Sequence, residues 1–212
     1  MPPTRRQLAD ASAELARRDA ALAVVIERVG PCDLRRGRPR QAHFAALARM
    51  ILYQQLAGRA AAAIHRRFVA LFDGGTPTPE AVLAVPLAEL RAVGLSGSKA
   101  ASVRDLAEKV LAGEVKLDRL GRLPDEEIVR ELTLVRGIGP WTAEMFLMFQ
   151  LGRLDVWPVD DFGVRKGYAA IFGHAGLPTA KELVALGDRF RPYRSVVAWY
   201  CWRAADTVVP DG

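Results

Sequence analysis

Thiol and imidazole side chains are scarce in this chain of 212 residues, which contains two cysteines, Cys32 and Cys201, and three histidines. Two thiolates cannot complete a four-cysteine zinc site or hold a cysteine-ligated iron–sulfur cluster, so neither group is expected. A single disulfide is compatible with the two cysteines, although no other feature of the sequence indicates secretion. The histidines are too scattered to indicate a metal site: His43, His65 and His174.

Long apolar runs are also lacking. The N-terminal segment MPPTRRQLAD has no apolar signal core, and no run approaches the length that spans a bilayer, so we expect a cytoplasmic protein without a membrane partner. Sustained alternation of apolar and polar residues is absent as well, and we therefore predict no sheet. The apolar residues instead recur at helical spacing between Gly/Pro turns, which predicts an all-α fold of about ten short helices.

The predicted helices follow these apolar stripes. Residues 4–29 form one predicted helical region, since Leu8, Leu15 and Leu22 recur at helical spacing before Gly30. A helix is also expected from Asp161 to about residue 172. The other predicted helices cover residues 41–56, 59–72, 99–111, 124–135, 178–190 and 192–206, with short ones beginning near Pro77 and Pro86 and another carrying Trp141.

Basic residues outnumber acidic ones, 30 against 24, which gives a formal net charge of +6 and a pI near 9.7. This surplus favours a polyanionic partner. Most of it is arginine, whose fork matches phosphate geometry, but genome composition explains such a bias equally well. Four arginines fall between Arg35 and Arg40, which form either a solvated loop or a phosphate-contacting patch.

The most informative stretch for function surrounds the Gly137-Ile138-Gly139 turn. Such a turn between two helices can bind a phosphate with main-chain N–H groups and the N-terminus of the next helix. The same pattern also occurs in simple helix–helix corners. The stretch ends in Asp160 and Asp161, and an isolated pair of this kind is typical of a helix N-cap.

The spacing around that turn resembles a known family. The pattern L-x-x-G-I-G-x-x-T-A from Leu134 to Ala143, with Asp161 nineteen residues after Thr142, is similar to the helix–hairpin–helix (HhH-GPD) DNA glycosylase superfamily. Within it the chain looks most like the bacterial 3-methyladenine DNA glycosylase II branch, over most of its length. Further motifs match this branch in order: Ile51–Gln55, Gly94–Ser96 with Lys99-Ala100, and Arg191–Ser195 through Trp202-Arg203.

The resemblance implies a two-lobed helical body of residues 1–212, with an active-site cleft between the lobes and no N-terminal β domain. Its central lobe would comprise residues 41–160, with the helix–hairpin–helix at residues 132–150. The second lobe would comprise residues 1–40 plus 161–212. A monomer that acts on double-stranded DNA is expected.

Roles in the chemistry are also implied residue by residue. Asp161 would be the catalytic carboxylate, and Asp160 the neighbouring N-cap. Trp141 lies where strand-cutting members of the superfamily carry a Schiff-base lysine, so no abasic-site lyase activity is expected. The base pocket would be lined by Trp141 and Trp202, with Met145 and Tyr53 as further candidates, while Trp157 and Trp199 are expected in the core.

On the DNA side, the resemblance implies that Gln55 enters the gap left by a flipped nucleotide. Arg165 and Lys166 either contact phosphate or form an exposed helix face. A DNA phosphate would be bound by the hairpin residues Gly137, Ile138, Gly139 and Thr142. A monovalent cation, Na⁺ or K⁺, would be held by the carbonyls of Thr133, Val135 and Ile138, and no other cofactor is expected.

These roles form a coherent chemistry. A base alkylated at a ring nitrogen is cationic, so tryptophan faces attract it, and it departs without a protonating acid. One carboxylate then suffices, in contrast to the two of ordinary glycosidases. The sequence thus favours a glycosylase for 3-methyladenine and 7-methylguanine in base excision repair. Its rivals are a glycosylase for another lesion (hypoxanthine, uracil, an etheno adduct or an oxidised base) and a non-catalytic DNA-binding module.

Overall fold

A computed structural model describes residues 3–34, 41–56 and 58–205 of the chain. These residues form twelve α-helices and no strand, so the prediction of an all-α fold is confirmed. The arginine-rich stretch at residues 35–40 lies outside the described residues, and its contact with DNA stays a prediction. Over the described ranges, no helix combines the length and the apolar character needed to cross a membrane.

The described residues group into two compact units, which we name the central unit (positions 39 to 146) and the terminal unit (the residues before and after it). The central unit contains α3 (His43–Tyr53), α4 (Gly58–Val69), α5 (Pro79–Ala84), α6 (Leu87–Ala92), α7 (Gly97–Leu111), α8 (Asp125–Leu132) and α9 (Pro140–Met145). The terminal unit contains α1 (Arg5–Arg18), α2 (Ala20–Val29), α10 (Phe162–Phe172), α11 (Ala180–Gly187) and α12 (Arg194–Ala204). A π-helical segment, Phe146–Leu151, follows α9.

The grouping differs from the predicted lobes in one segment. Residues 147–160, which the sequence assigns to the central lobe, group with the terminal unit. Hydrogen bonds to the start of α12 account for this, because the N–H of Ser195 donates to the carbonyl of Leu154 at 2.9 Å. The N–H of Val156 in turn donates to Ser195 Oγ at 2.9 Å.

Several predicted helix boundaries are corrected by capping residues. Asp19 divides the predicted helix at residues 4–29, because its backbone is extended and its carboxylate accepts the N–H groups of Ala21 and Leu22 as the N-cap of α2. The apolar stripe continues through this break, so the helical spacing gives no sign of it. Likewise α11 begins after Thr179, which forms a capping box with Glu182, rather than at residue 178.

The core of the central unit is built around α7, which packs against α3 and α5. Leu52 of α3 and Val103 and Leu106 of α7 are fully buried. Burial of each such side chain stabilises the fold by roughly 1.5–3 kcal/mol. Helix α7 is therefore a rigid support for the turns that surround it.

In the terminal unit the main packing is between α10 and α12. The two helices cross closely at Gly167, where an added Cβ would overlap the main-chain carbonyl of Cys201. No larger residue fits at this position without moving a helix backbone. The crossing thereby brings the N-terminus of α10 near the last turn of α12.

Candidate active site and DNA-contacting turns

Asp161 is the N-cap of α10, and its side chain is 8% exposed. Its Oδ1 atom accepts two hydrogen bonds at 2.8 Å, one from the N–H of Val164 and one from Nε1 of Trp202. Two N–H donors on one oxygen fix the orientation of the carboxylate. The assignment of the N-cap to Asp160 is wrong, because that residue is exposed and lies one position before the cap.

The partner of this carboxylate comes from far along the chain. Trp202 lies 41 residues after Asp161 and is 1% exposed, and its ring stacks on Phe149 with the ring centroids 5.9 Å apart. Its indole N–H therefore holds the carboxylate in place. That Trp202 also lines a base pocket stays a prediction.

The loop before Asp161 is held by two of its side chains. Asp155 accepts hydrogen bonds from Arg194 Nε at 2.9 Å and from Arg191 at 2.8 Å. Trp157 Nε1 donates to the carbonyl of Leu183 at 2.8 Å, and the ring is buried as expected for a core residue. These side-chain contacts hold the loop that leads to Asp161.

Cys201, next to Trp202 in α12, is buried and is a free thiol, as is Cys32. Burial raises the pKa of the Cys201 thiol, and the nearby charge of Asp161 raises it further. The thiol is therefore neutral and unreactive at ordinary pH. Over the described residues, no group of three or more His, Cys, Asp or Glu side chains forms a metal site.

The predicted phosphate-binding hairpin is in the central unit, between α8 and α9. Gly137 has a φ of 78°, in the region that favours glycine, and an added Cβ would lie 2.6 Å from Ser102 Oγ. Ile138 is 4% exposed and anchors the turn in the core. Gly139 is exposed and is the N-cap of α9. The N–H groups that follow it belong to the first turn of that helix, where N–H groups have no acceptor within the helix.

The three central-unit residues assigned to a base pocket differ in exposure. Trp141 is 36% exposed, whereas Met145 is 2% exposed. Tyr53 is half-buried, and the guanidinium of Arg49 lies 4.3 Å from the centroid of its ring. Of the three, Trp141 offers a large exposed surface, and the base-contacting role of all of them stays a prediction.

Gln55 follows α3 in a tight turn and is exposed. Its φ of 56° is positive, and no other non-glycine residue among those described has a positive φ. A strained backbone of this kind persists only where the surroundings hold it, and it occurs often at functional sites.

The two basic residues after Asp161 are engaged within the terminal unit. Arg165 Nε donates to the carbonyl of Pro178 at 2.7 Å, and Lys166 Nζ donates to that of Ala205 at 3.2 Å. The sequence gives no sign of these contacts, because the acceptors follow 13 and 39 residues later. Their contact with DNA stays a prediction.

The predicted cation ligands lie in the turns after α8. Thr133 is the C-cap of that helix, and the carbonyl of Val135 accepts the N–H of Ile138 at 3.0 Å. A carbonyl oxygen has two lone pairs, so this hydrogen bond leaves Val135 an acceptor position. Main-chain oxygens are the ligands that alkali cations take in proteins, and the donor set therefore fits Na⁺ or K⁺.

Comparison with known proteins assigns the chain to a family. A model described as "HhH-GPD superfamily base excision DNA repair protein" matches residues 48–192. The chain belongs to the HhH-GPD superfamily. The match includes both the hairpin and Asp161.

Individual members of the HhH-GPD superfamily agree with this assignment. DNA-3-methyladenine glycosylase 1 of Schizosaccharomyces pombe is 33% identical over 183 residues, which cover 85% of this chain and 80% of that protein. A structure of the S. pombe enzyme in complex with abasic DNA has a TM-score of 0.80 and covers 92% of this chain and 95% of its own. The Bacillus halodurans DNA-3-methyladenine glycosidase is 34% identical with a TM-score of 0.83, covering 93% of this chain and 89% of its own.

Sequence reasoning missed three features near these sites, one exposed aromatic residue and two contacts. Phe162, directly after Asp161, is 63% exposed, although it begins a helix. The Gln54 side chain reaches the hairpin, and Lys99 reaches the end of α3. The motif around Lys99 was visible in the sequence, but its spacing does not show which atoms the ammonium group contacts.

Proposed function

We propose that this protein is a monofunctional DNA glycosylase that hydrolyses the N-glycosidic bond of alkylated purines in duplex DNA, 3-methyladenine and 7-methylguanine first. The observation that carries the proposal is the buried carboxylate of Asp161, held by Trp202 and Val164 through 2.8 Å hydrogen bonds. The names of the S. pombe and B. halodurans relatives support this substrate class.

The proposed reaction needs one carboxylate. The bond between C1′ and the ring nitrogen breaks, and its electron pair neutralises the cationic base, which leaves without protonation. The sugar becomes oxocarbenium-like, and the negative charge of Asp161 stabilises it. Water then bonds to C1′ and releases its proton to the carboxylate or to solvent, which leaves an abasic site.

A base buried in the duplex must first leave the stack, at a cost of a few kcal/mol. Trp141 is the proposed aromatic surface for the extruded base, because its side chain is large and remains 36% exposed. A cationic purine over an indole face gains about 0.5–2 kcal/mol more than a neutral one. This difference favours alkylated purines over normal bases.

The proposed DNA contacts come from the central unit. The main-chain N–H groups around Gly139 and the start of α9 bind a phosphate, and Gln55 occupies the space of the flipped nucleotide. A Na⁺ or K⁺ ion at the carbonyls of Thr133, Val135 and Ile138 would add positive charge beside that phosphate. These contacts position the duplex, and they do not read its sequence.

Trp141 also bears on the type of reaction. It follows Pro140 at the position where a Schiff-base lysine would act, and an indole cannot form a covalent bond to C1′. We therefore expect no strand cleavage. Borohydride trapping on lesion-containing DNA should yield no covalent protein–DNA adduct, and a trapped adduct would contradict the hydrolytic assignment.

The test of the proposal is a pair of variants at adjacent aspartates. Asp161→Asn keeps an oxygen that accepts from Trp202 and remains a good N-cap, but it removes the charge, so release of methylated bases should fall by about 10²–10³-fold. Asp160→Asn, at the exposed neighbour, should leave release unchanged. Near-wild-type release by Asp161→Asn would show that the assignment of this residue is wrong.

A lesion panel distinguishes the proposal from its rivals. Release of neutral bases such as uracil or hypoxanthine in preference to methylated purines would indicate another lesion class. Salt-dependent DNA binding by the wild type without release of any base would indicate a binding module.

A further inference from the structure

Lys99, in the first turn of α7, reaches the C-terminus of α3. Its Nζ donates to the carbonyls of Leu52 and Gln54, each at 2.7 Å. The last carbonyls of a helix lack intrahelical partners, and an ammonium group there also interacts favourably with the helix dipole. Lys99 thus holds the backbone of the residue that directly precedes Gln55.

The side chain of Gln54 makes a second connection. Its Nε2 donates to the carbonyl of Gly137 at 2.9 Å and to Thr142 Oγ1 at 3.1 Å. Gln54 is therefore held by its backbone to α7 and by its side chain to the hairpin. The exposed Gln55 follows it with a positive φ of 56°, so its position depends on both contacts.

The hairpin is supported by the same face of α7. The N–H of Arg136 donates to Asp105 Oδ2 at 2.7 Å, and Ser102 Oγ fills the space beside Gly137. Lys99, Ser102 and Asp105 are spaced three residues apart and so share one side of the helix. One rigid helix thus supports the Gln55 turn and the phosphate-binding hairpin together.

We propose that Lys99 is a positioning residue for base flipping, which acts through Gln54 to fix the separation between Gln55 and the hairpin. This inference rests on the proposed function, since it assigns Gln55 to the gap in the flipped duplex. The hairpin sets where the phosphate binds, and Lys99 sets where Gln55 lies relative to it. A shift of the turn by about 1 Å would misplace the glutamine relative to the gap.

Burial lowers the pKa of Lys99, which is half-buried. Lys99 is not expected to recognise the lesion. Its loss should therefore change the position of Gln55 and not the chemistry at Asp161.

The test replaces Lys99 by Met, which keeps the length of the side chain and removes its donors. Arg104→Met is the matched control, because Arg104 lies on the same helix and also donates to a carbonyl at a helix C-terminus, that of Val85 at 3.1 Å. Each variant is measured alone and with Gln55→Ala, for base release at saturating DNA and for thermal unfolding. Lys99→Arg is included as the conservative variant.

The expected result is that Lys99→Met slows release at saturating DNA by between about tenfold and 100-fold. Gln55→Ala should add little to that loss, because both changes remove the same contribution, whereas its effect should multiply with any effect of Arg104→Met. Lys99→Arg should recover most of the rate. Full multiplication of the Lys99→Met and Gln55→Ala effects would overturn the proposal, as would a Lys99→Met rate equal to the wild type.

A second variant covers the case in which Lys99→Met does not fold. Gln54→Met removes the contacts to Gly137 and Thr142 and leaves the main-chain carbonyl for Lys99. Gln55→Ala should add as little to the loss of release rate caused by Gln54→Met as it adds to the loss caused by Lys99→Met. Independent effects of Gln54→Met and Gln55→Ala would contradict the proposed connection.

A binding measurement separates this proposal from the proposed function. A duplex that contains a tetrahydrofuran abasic analogue, with 2-aminopurine opposite the gap, reports insertion of Gln55 without any hydrolysis. Lys99→Met and Gln55→Ala should reduce the fluorescence change alike, and Arg104→Met should not. If the wild type releases no base but the three variants change the fluorescence in this way, the proposed function fails and the positioning role stands. A fluorescence change in Lys99→Met equal to that of the wild type refutes the positioning role.

Discussion

In the central unit three of the residues assigned to DNA or to the flipped base are exposed and lie in or next to turns supported by α7, whereas in the terminal unit the candidate catalytic carboxylate is buried and held by an indole and a helix N-terminus. Gln55, Gly139 and Trp141 are exposed, while Asp161 is 8% and Trp202 1% exposed. Binding a duplex requires an accessible surface. Stabilising the positive charge of an oxocarbenium-like sugar requires a carboxylate of fixed orientation in surroundings of low dielectric.

This comparison predicts that changes in the two units affect different steps. A change in the terminal unit should alter the cleavage of the glycosidic bond, or the fold itself. A change in the hairpin should alter DNA affinity, and a change in the Gln55 turn should slow flipping and so also slow release at saturating DNA.

The largest effect is expected at the crossing of α10 and α12. Gly167→Ala places a methyl group on the main-chain carbonyl of Cys201, which cannot rotate away, so the helices must separate. We expect the free energy of unfolding to fall by about 3 kcal/mol. Denaturant unfolding measures this change, with Gly176→Ala as the control, since a Cβ there meets nothing within 4 Å. Equal stability of the two variants would show that the crossing is not tight.

A smaller effect is expected from the indole that holds the carboxylate. Trp202→Phe keeps a ring beside Phe149 and removes the N–H on Asp161. Loss of a hydrogen bond to a charged group costs about 1.5–3 kcal/mol, which corresponds to a roughly 10–100-fold slower release. DNA affinity should be unchanged.

Its control is Trp157→Phe, which removes a buried indole N–H that donates to the carbonyl of Leu183 instead. Both variants should lose stability, and the rate of release at saturating DNA should fall for Trp202→Phe alone. If both slow release equally, general loosening of the terminal unit explains the effect, and the contact with Asp161 does not.

The smallest effect is expected at the hairpin. Gly137→Ala forces an L residue into a φ of 78° beside Ser102, at a cost of about 1–2 kcal/mol, and the turn should relax away from its phosphate-binding form. DNA affinity should fall about tenfold, with little change of the rate at saturation. A binding titration at fixed salt measures it.

Gly113→Ala serves as the matched control, because Gly113 has a φ of 73° and follows the C-terminus of α7. It should have a similar backbone cost without the clash, since a Cβ there meets nothing within 4 Å, and it should keep its DNA affinity. If Gly113→Ala lost as much DNA affinity as Gly137→Ala, the assignment of the hairpin to DNA contact would be contradicted.

The local features of this comparison could be predicted from the sequence, and the tertiary ones could not. The Gly137-Ile138-Gly139 turn follows from neighbouring residues, and the buried Ile138 agrees with it. The hydrogen bond between Asp161 and Trp202 joins residues 41 positions apart, and only the crossing at Gly167 brings them together. Family resemblance named both residues, but it did not indicate that one holds the other.

The errors have the same origin. Asp160 and Asp161 are adjacent and chemically alike, so composition cannot decide which of them caps α10; the backbone of the preceding loop decides it. The contacts of Lys99 and Gln54 were not predicted because their acceptors lie across the fold, in α3 and in the hairpin. A sequence pattern gives the position of a polar side chain along its own element, and the partner depends on how the elements pack.

The central claim is that one buried carboxylate suffices because the leaving base is already cationic. The most direct measurement is the identity of the bases that the wild-type protein releases from methylated duplex DNA, together with the state of the strand. The account predicts free 3-methyladenine and 7-methylguanine and an uncut strand that carries abasic sites. Release of neutral bases only, or DNA binding with no base in solution, would contradict it.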